Sequence, residues 1–405
     1  MSTGPYKIVN ARKRRLTRLA DLIGATLSLP WRQWRRARPL DPAEVREILL
    51  IRTLYLGDVM MTVPMLRPLR ERFPGARITL LTATGAAPLL EGNPDLDALI
   101  TYDPFWFSDR SGPLDYLRWR WRMRRRRFDL VIEARADIRE ILMLVRPLRA
   151  THKVSYGVGG GAWMLTRVVP YPGVRHKVEY HLDLCRALGC RVEGVHWDVH
   201  HSAAERAALA RLLAEQGLAA PFVAVHPGSR LALKRWPAAR YAALVERVAR
   251  RLGLAVVVLG APGERALVAE VVGAGGPRVH DLSGRLGLRA MAALLREARV
   301  LVCNDSAPMH LAAAVGTPAL ALFGPSSSVE TGPYGLGHRV VEVAGLWCRA
   351  ECDEHGCRHP ERQWCMRQLG VDQVFAVLCE MLGAEAAAGA NWSQNCHSPG
   401  SLSIQ

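Results

Sequence analysis

Short, almost fully apolar runs alternate with longer amphipathic stretches from Val45 onward. Such runs are typical of buried parallel strands, and an apolar position every three or four residues is typical of helices. In the first half, strands are predicted at residues 48–52, 77–81, 98–102 and 128–133, and helices at 59–73, 86–90 and 114–127. Strands that alternate with helices predict a doubly wound parallel sheet.

The second half of the chain repeats this plan. Strands are predicted at residues 222–226, 255–260, 279–282, 300–304 and 319–323, and helices at 237–252, 264–272, 288–297 and 309–315. A helix at 203–216 separates the halves and places the domain boundary within residues 190–220. The pattern predicts an α/β chain with two Rossmann-like doubly wound domains facing a central cleft. The predicted segments are a basic amphipathic arm at 1–44, Rossmann-like domains at 45–200 and 201–383, and a flexible tail at 384–405.

Ligands of doubly wound sheets bind at the carboxyl ends of the strands, so residues directly after strands are the candidates for a site. Leu56-Gly57-Asp58 follows the first predicted strand and precedes a helix. Gly57 permits a tight turn there. Asp58 has two interpretations, because its carboxylate can cap the helix or act as a general base on a substrate hydroxyl.

A cationic loop follows the first strand of the second half. Gly228 lets the backbone approach a ligand closely, and Ser229 offers a hydroxyl. Lys234 and Arg235 bring positive charge to the start of the next helix. These features favour phosphate binding, and the alternative is a solvated basic loop.

Two further loops after strands carry polar residues. One of them precedes a predicted helix that contains His310, and it consists of Asp305, Ser306 and Ala307. The free N–H groups at the start of this helix can bind a phosphate, or Ser306 or Asp305 can cap them. Glu264 follows another strand and can hold a ribose hydroxyl or simply begin a helix. No G-x-G-x-x-G fingerprint opens the first domain, which argues against an ordinary nicotinamide dehydrogenase.

The chain resembles glycosyltransferase family nine, the lipopolysaccharide heptosyltransferases, in four segments that occur in the family's order. These segments are residues 51–58, 226–237, 304–314 and 323–335. The resemblance extends over residues 46–382. It implies a GT-B fold and an inverting, metal-independent transfer of heptose from ADP-heptose to an inner-core lipopolysaccharide acceptor, with no required cofactor.

The resemblance also implies roles for individual residues. The catalytic base of the family falls on Asp58, and its donor-phosphate lysine falls on Lys234. The remaining donor-binding positions fall on Gly228, Ser229, Glu264, Asp305, Ser306, Ala307 and His310. The family more often has Thr-Gly where this chain has Ser306-Ala307, so the chain keeps the hydroxyl and adds a methyl group at that turn.

The charge of the chain adds expectations about its partners. It has 405 residues with 54 Lys and Arg against 37 Asp and Glu, a net charge of +17 that implies anionic partners. Residues 1–40 hold ten of the basic residues and one acid, Asp21. Apolar residues at helical spacing accompany this charge in the arm, namely Leu16, Leu19, Ala20, Ile23 and Leu27. The arm is therefore predicted to lie on an anionic membrane surface, and the alternative is a solvated arm.

No uninterrupted apolar run is long enough to cross a membrane, so no transmembrane helix is expected. The protein is predicted to be cytoplasmic and peripheral at the inner face of the inner membrane. Residues 116–127 contain seven arginines and two tryptophans, which favour contact with a phosphorylated lipopolysaccharide acceptor or with lipid over a plain solvated helix face.

Two other functions fit parts of the sequence. One is a GT-B glycosyltransferase that uses a different nucleotide sugar. The other is a basic nucleic-acid-binding protein, although most of the charge excess lies in the arm and no nucleic-acid-binding motif is evident, so no nucleic-acid partner is expected.

Four cysteines near the end of the second domain form the pattern C-x3-C-x4-C-x7-C, with His355 and His359 between them. They are Cys348, Cys352, Cys357 and Cys365. In a cytosolic protein this cluster indicates a structural zinc site or reduced thiols more than disulfides.

Overall fold

The computed structural model describes residues 11–34, 39–218, 221–273, 275–349, 351–352 and 356–386. The chain divides into two compact units, Met1–Asp198 and Val199–Gln405. The predicted flexible tail, apart from its first three residues, lies outside the described residues.

The first unit is built on a six-stranded parallel sheet with the strand order β3-β2-β1-β4-β5-β6. Its strands are β1 (Glu47–Arg52), β2 (Arg77–Thr82), β3 (Ala98–Thr101), β4 (Arg127–Glu133), β5 (Arg149–Tyr156) and β6 (Arg167–Val169). The order reverses between β1 and β4, and the carboxyl ends of these two strands flank the crevice where doubly wound sheets bind ligands. Residues 48–51 of β1 are fully buried, as expected for a central strand covered on both faces.

The helices of the first unit are α1 (Ala11–Trp34), α2 (Leu56–Met60), α3 (Leu66–Arg72), α4 (Ala87–Leu90), α5 (Pro113–Met123), α6 (Ile138–Glu140) and α7 (Lys177–Ala187). The single helix predicted at 59–73 is wrong, because a 3₁₀ segment at Val63–Met65 containing Pro64 separates α2 from α3. The helix predicted to reach Arg127 ends at Met123, because Arg127 pairs with Arg149 as the first residue of β4.

The second unit repeats the topology, with the strand order β12-β11-β10-β7-β8-β9. Its strands are β7 (Phe222–His226), β8 (Ala255–Val258), β9 (Val279–Asp281), β10 (Ala298–Asn304), β11 (Ala319–Phe323) and β12 (Arg339–Glu342). Its helices are α8 (Ala203–Glu215), α9 (Ala238–Arg251), α10 (Arg265–Val272), α11 (Leu288–Glu297), α12 (Ala307–Ala314), α13 (Ser328–Thr331), α14 (Trp364–Gln368) and α15 (Val371–Ala386). The order reverses between β7 and β10, so the prediction of two Rossmann-like doubly wound sheets is confirmed.

The core of the second unit ties its last helix to the sheet. Trp236 is buried among residues of α9, of the central strands and of α15, and its indole Nε1 donates a hydrogen bond to the carbonyl of Leu369 at 2.9 Å. This core therefore depends on the segment that leads into α15 as well as on the sheet itself. Among the described residues, no helix is both long and apolar enough to span a bilayer.

Candidate functional site

The first candidate site lies where β1 ends and α2 begins, at the reversal point of the first sheet. Asp58 is in the first turn of α2, and Tyr55 before it has a positive φ of 48°. A positive φ is uncommon for a residue other than glycine and marks a tight turn. This turn carries the chain from a buried strand to Asp58 within a few residues, at the edge where a ligand would bind.

Asp58 is held by two cations. Its Oδ1 accepts a hydrogen bond from Lys177 Nζ at 2.9 Å, and its Oδ2 lies 3.1 Å from Arg52 Nη2. The side chain of Asp58 is 13 % exposed. Asp58 is the third residue of α2, and both of its carboxylate oxygens face cations, so its contacts extend beyond the helix start.

These contacts decide the charge of Asp58. Burial by itself opposes ionisation, but the charges of Lys177 and Arg52 outweigh it and hold the pKa of Asp58 well below its usual range. Asp58 is therefore an ionised carboxylate at neutral pH, with the capacity to accept a proton. His181 beside it remains neutral, because burial and the charge of Arg52 lower its pKa to about 3.

Lys177 and His181 were not predicted as site residues. Both belong to α7, where Lys177 is the first residue and His181 Nδ1 donates to the carbonyl of Met61 at 2.9 Å. The sequence does contain a signal for this helix, because the buried residues Val178, His181, Leu182 and Cys185 follow a helical spacing. It contains no signal that α7 meets α2, since 119 residues separate Lys177 from Asp58.

A pair of buried glutamates supports the same edge of the sheet. Ser155 Oγ donates to Glu133 at 2.6 Å, and Thr53 Oγ1 donates to Glu140 at 2.6 Å. Burial, with Glu140 close by, raises the pKa of Glu133 to about 8, so Glu133 carries a proton at neutral pH. The first bond joins β5 to β4, and the second joins Thr53, directly after β1, to α6.

The second candidate site lies at the reversal point of the second sheet, between the loops that follow β7 and β10. Asn304 at the end of β10 joins these loops. Its Nδ2 donates to the carbonyl of Pro227 at 2.7 Å, and its Oδ1 accepts from the backbone N–H of Trp236 at 2.9 Å. Ser229 Oγ adds a bond to the carbonyl of Asp305 at 3.0 Å. One buried amide therefore fixes both ends of the predicted phosphate loop.

Lys234 and Asp305 meet directly in this site. Lys234 Nζ lies 2.5 Å from Asp305 Oδ2, and Ser326 Oγ donates to the same oxygen at 2.5 Å. Asp305 is buried, whereas the side chain of Lys234 is 24 % exposed. The carboxylate therefore holds the ammonium in one place, while part of the lysine side chain remains accessible to a ligand.

Glu264 and Gly228 are in close contact. A Cβ at position 228 would lie 2.1 Å from Glu264 Oε1, so a larger residue there would force this carboxylate to move. Glu264 Oε2 lies 3.5 Å from His226 Nε2 and accepts from the backbone N–H of Ala261 at 2.9 Å. The hydrogen bond with His226 is the main cause that lowers the pKa of Glu264 and keeps it ionised.

The start of α12 differs from the predicted cap. Ser306 occupies the N-cap position, but its hydroxyl bonds to the carbonyl of Asn304 at 3.2 Å, and neither Ser306 nor Asp305 caps the helix. Ala307 begins the helix and His310 is buried one turn later. The first N–H groups of α12 thus receive no side-chain cap, as an anion-binding helix start requires.

The cysteine cluster shows no disulfide among the eight cysteines in the described ranges. Backbone N–H groups of Arg358 and Gln363 approach the sulfurs of Cys352 and Cys357 at 3.5 and 3.4 Å. Burial, with Cys357 and Cys348 nearby, raises the pKa of Cys352 to about 11, so this group is a protonated thiol at neutral pH. Where side chains are described, no group of three or more His, Cys, Asp and Glu is arranged to hold a metal; His355 lies outside that part, and zinc stays a prediction.

Comparison with known proteins identifies the family. Residues 116–360 match the family described as glycosyltransferase family 9 (heptosyltransferase), which is more than half of the chain. The chain belongs to glycosyltransferase family 9. It is therefore a glycosyltransferase, and the predicted resemblance is confirmed.

Individual relatives of the family 9 chain agree with this assignment. It is 27 % identical to lipopolysaccharide heptosyltransferase 3 of Escherichia coli over 288 residues, which cover 69 % of this chain and 84 % of that protein. A family 9 glycosyltransferase structure from Veillonella parvula superposes with a TM-score of 0.71 at 23 % identity, covering 84 % and 97 % of the two chains. The structure of E. coli ADP-heptose lps heptosyltransferase II gives 0.66 at 22 % identity, covering 84 % and 99 %. The fold is thus that of solved heptosyltransferases.

The contact between Lys177 and Asp58 predicts a change in the pH profile of glycosyl transfer. In Lys177→Met one of the two cations that lower the pKa of Asp58 is lost, so this pKa rises toward its ordinary value. The acidic limb of the kcat/KM profile, which reports groups of the free enzyme, should then move to higher pH by about 1–3 units. The control is Lys177→Arg, which keeps the charge and should keep the wild-type limb. Identical acidic limbs for wild type and Lys177→Met would contradict the assigned role of this contact.

Proposed function

We propose that this family 9 enzyme transfers heptose from ADP-heptose to an inner-core lipopolysaccharide acceptor, with inversion and without a metal ion. The observation that carries the proposal is the buried, ionised Asp58 at the reversal point of the first sheet. The donor and acceptor classes are supported by the similarity to enzymes named as lipopolysaccharide and ADP-heptose heptosyltransferases.

In the proposed reaction Asp58 is the general base. The acceptor hydroxyl loses its proton to Asp58 while its oxygen forms a bond to the anomeric carbon of heptose. The bond from this carbon to the phosphate oxygen breaks on the opposite face, and ADP leaves with the electron pair. This single displacement inverts the anomeric configuration.

The ion pairs of Asp58 impose a condition on this step. A carboxylate with a strongly lowered pKa is a weak base, so part of the positive charge must leave it when the acceptor binds. Lys177 is the cation that can move, because its side chain is 33 % exposed whereas that of Arg52 is 4 % exposed. We infer that an anionic group of the acceptor attracts Lys177 away from Asp58, which raises the pKa of the base when the substrate is in place.

The second unit supplies the donor-binding groups in this proposal. Lys234 and the uncapped N–H groups at the start of α12 stabilise the negative charge that develops on the leaving diphosphate. Gly228 and Ser229 form the loop against the phosphates, and Glu264 binds a ribose hydroxyl. A fixed ammonium and helix N–H groups supply the charge stabilisation that a metal ion supplies in other transferases.

The acceptor is attached to lipid, so we propose that the enzyme works in the cytoplasm, peripherally at the inner face of the inner membrane. The exposed leucines of α1 and the arginines around α5 support contact with an anionic surface.

The role of Asp58 predicts the behaviour of Asp58→Asn. The amide keeps the size of the side chain but cannot take a proton, so transfer should fall by about 10²-fold or more. Donor affinity should stay near wild type, because Asp58 is not among the donor-binding residues. The measurement is ADP release with ADP-heptose and a truncated core acceptor, next to calorimetric binding of ADP-heptose. Transfer above a tenth of the wild-type rate would exclude Asp58 as the base.

Lys234→Ala should weaken ADP-heptose binding and slow the departure of ADP, because it removes the positive charge beside the diphosphate; a loss of about 10-fold or more in affinity is expected. Loss of Lys234 also exposes the negative charge of Asp305 to the donor. The double variant Lys234→Ala/Asp305→Asn separates these effects. A double variant that binds donor as tightly as wild type would show that Lys234 only neutralises Asp305.

Metal independence predicts the result of chelation. Dialysis against EDTA should leave the transfer rate within about twofold of the untreated enzyme, because no step uses a metal ion. A structural zinc at the cysteine cluster would appear in elemental analysis of untreated protein, and its removal would lower the melting temperature. A loss of transfer that a metal ion restores, in protein whose melting temperature chelation leaves unchanged, would contradict the proposed chemistry.

A further inference from the structure

Helix α1 packs on the first unit through its small and polar face. Asp21 Oδ1 accepts a hydrogen bond from the backbone N–H of Gly161 at 2.7 Å. Gly24 faces the indole of Trp163 so closely that a Cβ would lie 2.2 Å from its ring, and Thr17 lies beside Gly160. The acid that interrupts the apolar pattern of the arm therefore has a structural role as the anchor of α1.

The apolar stripe of α1 points away from this contact. Leu16, Leu19, Ile23 and Leu27 recur at helical spacing and are 59, 56, 50 and 77 % exposed. On a helix wheel the centre of this stripe lies about 130° from the face that holds Asp21 and Gly24. A helix of a globular protein normally turns such a stripe toward the core. Because α1 packs on the first unit through Asp21 and Gly24, its apolar stripe faces away from the protein. This is the orientation of a helix that lies on a membrane surface.

A cavity of about 1200 Å³ opens beside the second half of α1, at the end of the first sheet opposite to Asp58. Its lining includes four basic residues and two acids, Glu47 and Asp129. The basic residues are Arg127, Arg146, Arg149 and Lys153. One of the acids, Asp129, already accepts hydrogen bonds from the backbone N–H groups of Arg46 and Glu47 at 2.8 and 3.0 Å. The cavity therefore has an excess of positive charge.

Leu27 belongs to both features, because it is the most exposed residue of the stripe and also lines the cavity. An amphiphile with an anionic head and an apolar tail fits this continuity. Its phosphate would lie among the arginines of the cavity, and its acyl chains would lie along the stripe. A second copy of this chain would bring the same positive charge to the contact, so like charges would oppose it.

We propose that the cavity and the outward stripe of α1 together bind an anionic phospholipid of the membrane, with the headgroup phosphate in the cavity. The inference rests on the proposed membrane association of the enzyme and adds its binding site. Helix α5 extends the surface, since Leu114, Leu117 and Trp121 form a second exposed stripe and the arginines after it lead to Arg127 in the cavity.

The test compares two variants of the full chain with matched controls. The cavity variant is Arg127→Gln/Arg149→Gln, and its control is Arg191→Gln, at a side chain that is 89 % exposed in the same unit. The stripe variant is Leu19→Gln/Ile23→Gln, and its control is Leu336→Gln, at a residue that is 99 % exposed. Binding is measured by co-sedimentation with phosphatidylcholine vesicles with and without phosphatidylglycerol, and melting temperatures verify folding.

The cavity variant should lose about 30-fold in affinity for phosphatidylglycerol vesicles, since two charges near the surface contribute about 1 kcal/mol each, and it should bind pure phosphatidylcholine like wild type. The stripe variant should bind both vesicles more weakly, and the controls should match wild type. Wild-type binding by either test variant would overturn the proposal. The proposal would also be overturned if glycerol 3-phosphate raised the melting temperature of the wild-type protein while that protein did not bind vesicles. The ligand of the cavity would then be a soluble phosphate.

ADP release with ADP-heptose and a soluble acceptor separates this inference from the proposed function. Normal transfer by all variants, together with unchanged vesicle binding, would refute the lipid site alone. The predicted vesicle results, together with a wild type that transfers no heptose, would refute the heptosyl transfer alone.

Discussion

The first unit's site depends on the balance between one buried carboxylate and two cations. Without Lys177 and Arg52, burial would favour the protonated form of Asp58, which could not act as the proposed base. With both cations in contact, the carboxylate is ionised but holds a proton only weakly. In the proposed mechanism Asp58 becomes a stronger base when the acceptor binds. Lys177 is the cation that can move then, because it is more exposed than Arg52.

The second unit uses the same kind of constraint at its own reversal point. Asn304 fixes the loops after β7 and β10 through backbone groups, and Asp305 fixes the ammonium of Lys234. Hydrogen bonds and an ion pair to other loops hold these side chains, so the proposed donor-binding groups are positioned before a ligand arrives. Preorganised charge of this kind stabilises a leaving diphosphate without rearrangement during the reaction.

Much of this arrangement follows from local sequence. Central strands such as β1, β7 and β10 are buried on both faces, so their apolar runs are unmistakable, and the loops after them carry the predicted site residues. Strand β5 was missed because only its second half is buried and its first half carries Arg149, His152 and Lys153 among its residues. The contact of Lys177 with Asp58, the pairing of Lys234 with Asp305 and the outward stripe of α1 depend on tertiary packing. Local patterns contain no information about such distant contacts.

The most direct test of the account is the pKa of Asp58 itself. An NMR titration of ¹³C-labelled aspartate carboxyl groups, with the Asp58 signal assigned by its absence in Asp58→Asn, would measure it with and without a truncated anionic acceptor. We expect a pKa of Asp58 below the ordinary aspartate range in the free enzyme and an increase of this pKa when the acceptor binds. An ordinary pKa in the free enzyme, or one that the acceptor leaves unchanged, would contradict it.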